Sequence, residues 1–323
     1  MTPPCRSHRP RRLSRSVIAL CAVGAVGLAG CSAEDSATDT AAVDSDNAVE
    51  LQLDSPKVTV IDAGAQDSAT ELRYTATADS PEEELSVVAY DGFSQQIAAL
   101  NEVEPQAPAG GDVTSLTLPL TGHIDGDSGR VELALGAPTS TDLSLNDTLA
   151  SAEGFRIAVD RSDRGIANSV RLAAPKEASD EARSMVESAV FTWLSLSVVF
   201  PEEPLGDGAQ WTVDSRVPGE NSMLQTITYT LDAHEGTTAT LSAEIQRRST
   251  LGALSAGEDH PELEVVSTES TSTGELTVNL DSSVRNTGRM AVTTRLVYAA
   301  DAAREDQQAV IQDLTSAVEY SSP

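Results

Sequence analysis

The residue best suited to nucleophilic chemistry is Ser128, which lies in the segment Gly126-Asp127-Ser128-Gly129. A serine hydroxyl becomes a nucleophile when a histidine takes its proton and an acid orients that histidine. After the first 30 residues only His123 precedes Ser128, and it stands five residues away. Asp, Gly and Ser are also the residues that favour a tight turn between strands. We therefore predict a hairpin turn here and no protease site.

Metal and cofactor chemistry has little support in the chain. Asp125 opens a segment that begins like a calcium loop, but its twelfth position is Gly136 and not a bidentate glutamate, which leaves only weak calcium binding by exposed carboxylates open. The histidines after residue 30 are too far apart in the sequence to suggest a zinc site: His123, His234 and His260. Neither a phosphate-binding glycine-rich loop nor a dinucleotide fingerprint occurs. We expect no catalytic residue, no cofactor, no metal site and no enzymatic activity.

The thiol with a predicted role is Cys31. The first 30 residues contain five arginines and no acid, and an apolar run over residues 17–28 follows the arginines. This order is that of a signal peptide, and the run is shorter than the roughly 20 residues that span a bilayer. Leu28-Ala29-Gly30-Cys31 resembles the lipobox of bacterial lipoproteins, which implies cleavage after Gly30 and lipid attachment to Cys31. Arg11-Arg12 leaves twin-arginine export open, although the general secretory pathway fits better.

The charge balance restricts the partners. The chain has 21 basic and 50 acidic residues, and the loss of five arginines with the signal would leave a net charge of −34. Such a surface repels both nucleic acids and anionic headgroups. We therefore expect no nucleic-acid partner. Localisation is predicted at the outer face of the cytoplasmic membrane, where the lipid on Cys31 would hold the protein.

Hydrophobic patterning predicts the domain organisation. Residues 31–50 are predicted to be the lipidated cysteine and a disordered tether, because residues 32–50 contain six acids and no base. Short β-branched runs separated by turn residues then predict antiparallel strands. The predicted strands are 58–61, 72–77, 85–90, 114–120, 130–135, 155–159, 169–173, 211–213, 225–231, 239–245, 262–267, 276–280 and 290–298. We predict a mainly β fold of the α+β class, with antiparallel sheets in two related halves and one long helix between or capping them.

The two halves are predicted to be residues 51–200, which end in the helix, and residues 201–323. Pro175 is expected in the first helical turn and Pro201 is expected to end the helix. The buried stripe is predicted from helical spacing: Ala182, Val186, Ala189, Trp193 and Leu196. Trp193 and Trp211 are predicted core residues. A second candidate helix, 303–318, is interpreted as a strand because its apolar residues also alternate with period two.

Three pairs of short segments suggest that the second half duplicates the first. The pairs occur in the same order at offsets of 153, 155 and 159 residues: 58–60 with 211–213, 72–75 with 227–230, and 128–131 with 287–290. Matches at a nearly constant offset indicate an internal repeat. Whether the two halves share one core stays open at this stage.

The lipobox, the acidic tether, the repeated strand units and the Trp-Thr-Val strand after segment 201–208 together resemble uncharacterised actinobacterial cell-envelope lipoproteins. The resemblance brings no known activity or site residues. The leading hypothesis is a non-enzymatic binding module, for a hydrophobic small molecule or lipid. One alternative is a protein-interaction scaffold of the envelope. Another is a cell-wall-polymer hydrolase, which would need paired carboxylates about 5 to 10 Å apart.

Overall fold

The computed structural model describes residues 48–217, 223–250, 253–254, 262–282, 284–301, 303–304 and 306–321. These residues belong to one compact unit. The strands of the described part are β1 Val49–Gln52, β2 Lys57–Asp62, β3 Glu83–Ala99, β4 Thr114–Ile124, β5 Val131–Leu135, β6 Thr139–Ser140, β7 Arg156–Arg161, β8 Ala167–Ala173, β9 Gln210–Val217, β10 Met223–Glu235, β11 Thr238–Ser249, β12 Ala253–Leu254, β13 Leu263–Asn279, β14 Asn286–Ala299 and β15 Gln308–Ser321. The helices are α1 Asn146–Leu149 and α2 Asp180–Ser195. The predicted mainly β fold is confirmed.

All the strands join one antiparallel sheet. Its main row has the order β1-β8-β7-β5-β4-β3-β15-β14-β13-β11-β10-β9-β2, while β6 pairs with β4 and β12 pairs with β13. Apart from β2, which ends the row beside β9, strands of the first half lie on one side of the row and strands of the second half on the other. The two groups meet where β3 pairs with β15 over the register from Ser86 with Ser321 to Ala99 with Gln308.

The sheet is strongly curled, because its two end strands, β1 and β2, follow each other directly in the chain. β1 pairs with β8 and β2 pairs with β9, although only residues 53–56 separate the two strands. Extended chain covers at most about 3.6 Å per residue, so these residues bridge no more than roughly 18 Å between the ends of the row. Leu53 N also donates to Asn168 O at 2.9 Å, which holds the linking segment against β8. The concave face of the sheet therefore surrounds a limited space.

Helix α2 fills part of that space. The predicted stripe of Ala182, Val186, Ala189, Trp193 and Leu196 is buried throughout. It belongs to one cluster that also contains Ile157 of β7 and Ile227 of β10, so the two halves share a single core. Burial of each large aliphatic side chain in such a cluster contributes about 1.5–3 kcal/mol.

Four aromatic residues form the densest part of the core. The rings of Trp211 and Tyr229 are stacked with centroids 5.3 Å apart, and Phe200 lies 6.1 Å from Trp211 and 5.7 Å from Tyr74. Trp211 Nε1 donates to Val199 O at 2.9 Å, which satisfies its polar atom in the apolar interior. Trp211 is fully buried and Trp193 is 8% exposed, which confirms the prediction that both tryptophans are core residues.

The boundaries predicted for the helix were wrong at both ends. The helix begins at Asp180 because the Ser179 hydroxyl caps it and accepts from Ala182 N at 3.1 Å. It ends at Ser195, five residues before Phe200. Pro175 and Pro201 therefore lie outside the helix, and Pro175 instead accepts a turn hydrogen bond from Ala178 N at 3.1 Å.

Residues 72–77, which were predicted as a strand, are not one. Leu72 and Tyr74 are buried, so the alternation in the sequence reflects core packing. The backbone bonds to separate partners and not to a ladder, since Tyr74 N donates to Asp163 O at 2.7 Å and Thr75 N donates to Leu280 O at 2.6 Å. Predicted strands 262–267 and 276–280 are parts of one strand, β13. The preference for strand over helix at 303–318 is confirmed by β15, which begins at Gln308.

The predicted tether extends two residues too far. Val49 and Glu50 belong to β1, and the Glu50 carboxylate accepts from Arg130 Nη2 at 2.9 Å, so an acid in this segment has a structural partner. The first pair of repeat segments lies side by side, because Val58, Thr59 and Val60 of β2 face Val213, Thr212 and Trp211 of β9. Both segments lie near the start of their half, so the antiparallel pairing places the starts of the two proposed repeats side by side.

Candidate binding groove

The sequence-predicted lipidation site is outside the described residues. Cys31 and the cleavage residues Leu28, Ala29 and Gly30 lie there, as does most of the predicted tether. Their proposed roles therefore stay predictions. Of the histidines, His260 is also outside the described residues, while His123 lies at the end of β4 and His234 in β10.

Ser128 lies in the turn between β4 and β5, as predicted. Its backbone N and its hydroxyl both donate to Asp125 Oδ1 at 2.7 Å, and these bonds hold the pKa of the Asp125 carboxyl below its usual range. Gly129 N donates to Asp125 O at 2.8 Å and closes the turn. Asp125, Ser128 and Gly129 thus form a hairpin turn. In the described part of the chain, no group of three or more His, Cys, Asp or Glu residues is arranged to hold a metal ion.

The main concave feature is a groove between α2 and the sheet. One section, of about 580 Å³, lies between α2 and strands β3 and β4 and is lined by Phe93, Val113, Leu116, Met185 and Ser188 among others. The adjoining section, of about 650 Å³, shares Phe93 and Ser188 and extends to β9, β10, β11 and β15. Each volume falls in the range of about 300–1,000 Å³ that is typical of small-molecule sites.

A third section continues the groove around the end of α2. It has about 230 Å³ and shares Phe191 and Ser195 with the second section. Its walls include Leu53 of the linking segment, Val213 of β9 and Ile227 of β10. The three sections thus follow one another along the helix, from β3 to the place where the ends of the sheet approach each other.

Apolar side chains on the concave face remain exposed beyond the helix. Phe93 and Ile97 of β3 are 59% and 66% exposed, and they continue the alternation of Leu85, Val87 and Ala89, which are buried beneath α2. Further along the same face, a smaller cluster contains Met223, Leu296 and Tyr298. The groove therefore has α2 as one wall and the sheet as the other, and its lining combines apolar side chains with polar ones.

A polar layer crosses this apolar face at Arg247 of β11. The guanidinium is 7% exposed; its Nε donates to Gln225 Oε1 at 2.8 Å and its Nη1 donates to Ser316 Oγ at 2.9 Å. Gln225 in turn donates from Nε2 to Ser195 O at 2.8 Å, at the end of α2. Ser316 is in β15, three strand spacings or about 14 Å away along a flat sheet, so the contact depends on the curl of the sheet.

The electrostatics of this layer are asymmetric. Burial lowers the pKa of Arg247 to about 10, which still leaves the guanidinium protonated at neutral pH, and the charge of Asp91 opposes that decrease. Burial raises the pKa of Asp91 above its usual range, while the Arg247 charge and the Gly92 N–H oppose that increase. Among the described residues, no carboxylate oxygen lies within 4.0 Å of the Arg247 nitrogens, since no ion pair includes Arg247. The layer therefore holds a cation with only neutral hydrogen-bond partners.

Sequence reasoning missed the groove, although two signals point to it. Hydroxyl residues recur at helical spacing on the side of α2 opposite its buried stripe: Ser184, Ser188, Thr192 and Ser195. In β11, Arg247 has the same parity as the buried residues Leu241 and Ile245, so the alternation places an arginine on the concave face. A search for charged residues at the buried positions of the alternating pattern would have identified Arg247.

No protein-family model, curated protein or solved structure matches the chain. Across the residues that the structure describes, no helix combines the length and the apolar character that crossing a bilayer requires. The function is therefore inferred from the groove.

Proposed function

We propose that this protein is a lipid-anchored, extracytoplasmic binding module that holds a long apolar small molecule in the groove beside α2. The observation that carries the proposal is the series of three adjoining groove sections, of about 580, 650 and 230 Å³, whose linings include exposed apolar side chains. Contiguous exposed apolar surface is a feature of ligand-binding grooves and of protein or membrane interaction sites. The Phe93 ring, exposed on the concave face, supplies part of that surface.

The rest of the chain suits this function. A signal peptide that ends at Gly30 and a lipid on Cys31 would place the domain at the membrane, which is the source of long-chain molecules, and the acidic segment after Cys31 would give reach. The acidic surface disfavours adsorption to anionic headgroups, so contact with lipid would depend on the anchor and the groove. Both tryptophans are buried in the core, which argues against a sugar-stacking site in the groove.

The experiment is a fluorescence titration of the exported Cys31→Ser protein with a neutral ligand, a long-chain fatty acid methyl ester that carries a terminal fluorophore. The test variant is Ser188→Trp, because Ser188 is an exposed residue of α2 that lines both large sections of the groove. Ser and Trp have similar helix propensities, so the helix should persist. The expected result is saturable binding by the unsubstituted protein and a loss of affinity of at least about tenfold in Ser188→Trp, or ~1.4 kcal/mol.

The matched control is Gln96→Trp, which adds the same indole to the exposed side of β3 that faces away from the groove. We expect this variant to bind as the unsubstituted protein does. Equal affinities for the protein and Ser188→Trp would contradict the proposal, and so would the absence of saturable binding by the unsubstituted protein. The latter result would favour the interaction-scaffold alternative.

A further inference from the structure

Arg247 is the buried charged group that the apolar groove does not explain. Its Nη2 atom is buried and has no hydrogen-bond partner among the described residues. The other two nitrogens are held by Gln225 and Ser316, so the direction of the guanidinium is fixed. The residue also lines the second section of the groove, together with Phe93, Phe191 and Met223.

An unpaired buried N–H of a cation is costly, because the group has lost its water without a replacement. A hydrophobic residue of similar volume usually serves at least as well as a buried charge for stability alone. Here two neutral acceptors, Gln225 and Ser316, orient the guanidinium, and Nη2 has no acceptor among the described residues. Such an arrangement suits a site in which an anionic oxygen arrives with a ligand, because a charge-assisted hydrogen bond is stronger than a neutral one.

The surroundings define the shape of that ligand. Apolar residues lie on both sides of the polar layer: the core beneath α2 on one side, and the cluster of Met223, Leu296 and Tyr298 on the other. An alkyl chain can therefore occupy the groove while a head group reaches the layer. Three carboxylates line the same sections, Asp91, Asp112 and Glu187, and the Asp91 charge interacts with that of Arg247. An anionic head would be repelled by these carboxylates, so its binding depends on the attraction of Arg247.

We infer that the natural ligand is an amphiphile with an anionic head, a carboxylate or a phosphate, whose oxygen accepts a hydrogen bond from Arg247 Nη2. This inference rests on the proposed function of the groove and specifies its ligand. Arg247 acts as the residue that selects the head, whereas the walls of the groove bind the tail whatever the head is.

The test compares three ligands with one fluorophore-labelled tail: the fatty acid, its methyl ester and the monoalkyl phosphate. The protein variants are Arg247→Met, which keeps an unbranched side chain of similar length, and Arg247→Lys, which keeps the charge. We expect the unsubstituted protein to bind at least one anionic ligand about tenfold or more tighter than the ester. In Arg247→Met the ratio of the affinities for the anionic ligand and the ester should fall to about one, and Arg247→Lys should retain part of the preference.

The outcomes separate this inference from the proposed function. Preference for the carboxylate or for the phosphate supports the inference and identifies the head. Equal binding of all three ligands by the unsubstituted protein overturns the inference and leaves the groove function intact. Failure of every ligand to bind overturns the proposed function. If Arg247→Met does not fold, retention of preference in Arg247→Gln, which has no charge, would overturn the inference in its place.

Discussion

The polar layer gives a stability prediction in which two substitutions should partly cancel. Gln225 is 1% exposed and connects Arg247 to the last residue of α2. The change Gln225→Leu keeps the volume but removes the acceptor of Arg247 Nε and the donor to Ser195 O. The Arg247 guanidinium would then remain buried, and Ser316 would be its one remaining hydrogen-bond partner among the described residues.

The magnitude follows from the two bonds. A hydrogen bond to a charged group contributes about 1.5–3 kcal/mol and a neutral one about 1 kcal/mol. We therefore expect Gln225→Leu to lower the free energy of unfolding by roughly 2–4 kcal/mol. Removal of the charge as well, in Gln225→Leu/Arg247→Met, leaves no unpaired cation, so part of this loss should be regained. The coupling energy between the two positions should be about 1.5–3 kcal/mol.

The assay is urea unfolding of the four proteins of this double-mutant cycle at neutral pH, followed by circular dichroism. The slope of the transition should stay constant, because the surface exposed on unfolding is unchanged. Additive losses, with a coupling energy below about 0.5 kcal/mol, are what independent residues would give. That result would refute the claim that Gln225 stabilises the Arg247 charge.

Three further predictions concern buried polar and aromatic groups of the sheet and the core. Arg295→Met should lower the free energy of unfolding by about 3–5 kcal/mol, measured in urea, because Arg295 donates from Nε and Nη2 to the buried Asp313 carboxylate, both at 2.7 Å. Trp211→Phe should cost about 2–3 kcal/mol in the same assay, since it removes volume and the indole hydrogen bond. Burial raises the pKa of Tyr229 and of Tyr320, so each phenol contributes stability below pH about 10 that is lost as pH rises further. The urea concentration at the midpoint of unfolding should therefore decrease as pH rises above about 10, and phenolate absorbance should increase together with unfolding.

Each of these predictions has its own contrary result. If Arg295→Met changes the free energy of unfolding by less than about 0.5 kcal/mol, the ion pair is exposed to solvent and not buried. For Trp211→Phe, a loss as small as that of a surface substitution would place the indole outside the core. Phenolate absorbance that rises around pH 10 in all five tyrosines, before any unfolding, would contradict the burial of Tyr229 and Tyr320.

Strands were predictable where alternation reports burial on one face of a sheet. Along β10 and β11 every second residue faces the core, so the period-two pattern found both strands. The same rule failed at Leu72 and Tyr74, where buried residues alternate on a backbone that forms no ladder. In β13 the polar run 268–273 hid the continuity of a strand whose pairing with β14 extends over its whole length.

The groove could not be predicted because it depends on long-range closure. Residues 53–56 bring the ends of the sheet together, and no local pattern encodes which strand β1 or β2 will join. The contact of Arg247 with Ser316 likewise joins residues 69 positions apart through the curl of the sheet. The composition indicates an acidic surface, but it cannot show that Arg247 is buried in the polar layer. The position of Arg247 in the alternation of β11 and the curvature of the sheet decide where that charge lies.

The most direct test of the groove as a binding site is native mass spectrometry of the exported Cys31→Ser protein, purified without detergent from a bacterial expression host, beside Ser188→Trp and Gln96→Trp. We expect one bound amphiphile with an anionic head on the unsubstituted protein and on Gln96→Trp, and its loss from Ser188→Trp. Retention of the same molecule by Ser188→Trp would place the ligand outside the groove. If all three proteins have the bare polypeptide mass and bind none of the added long-chain ligands, the claim that the groove is a binding site is wrong.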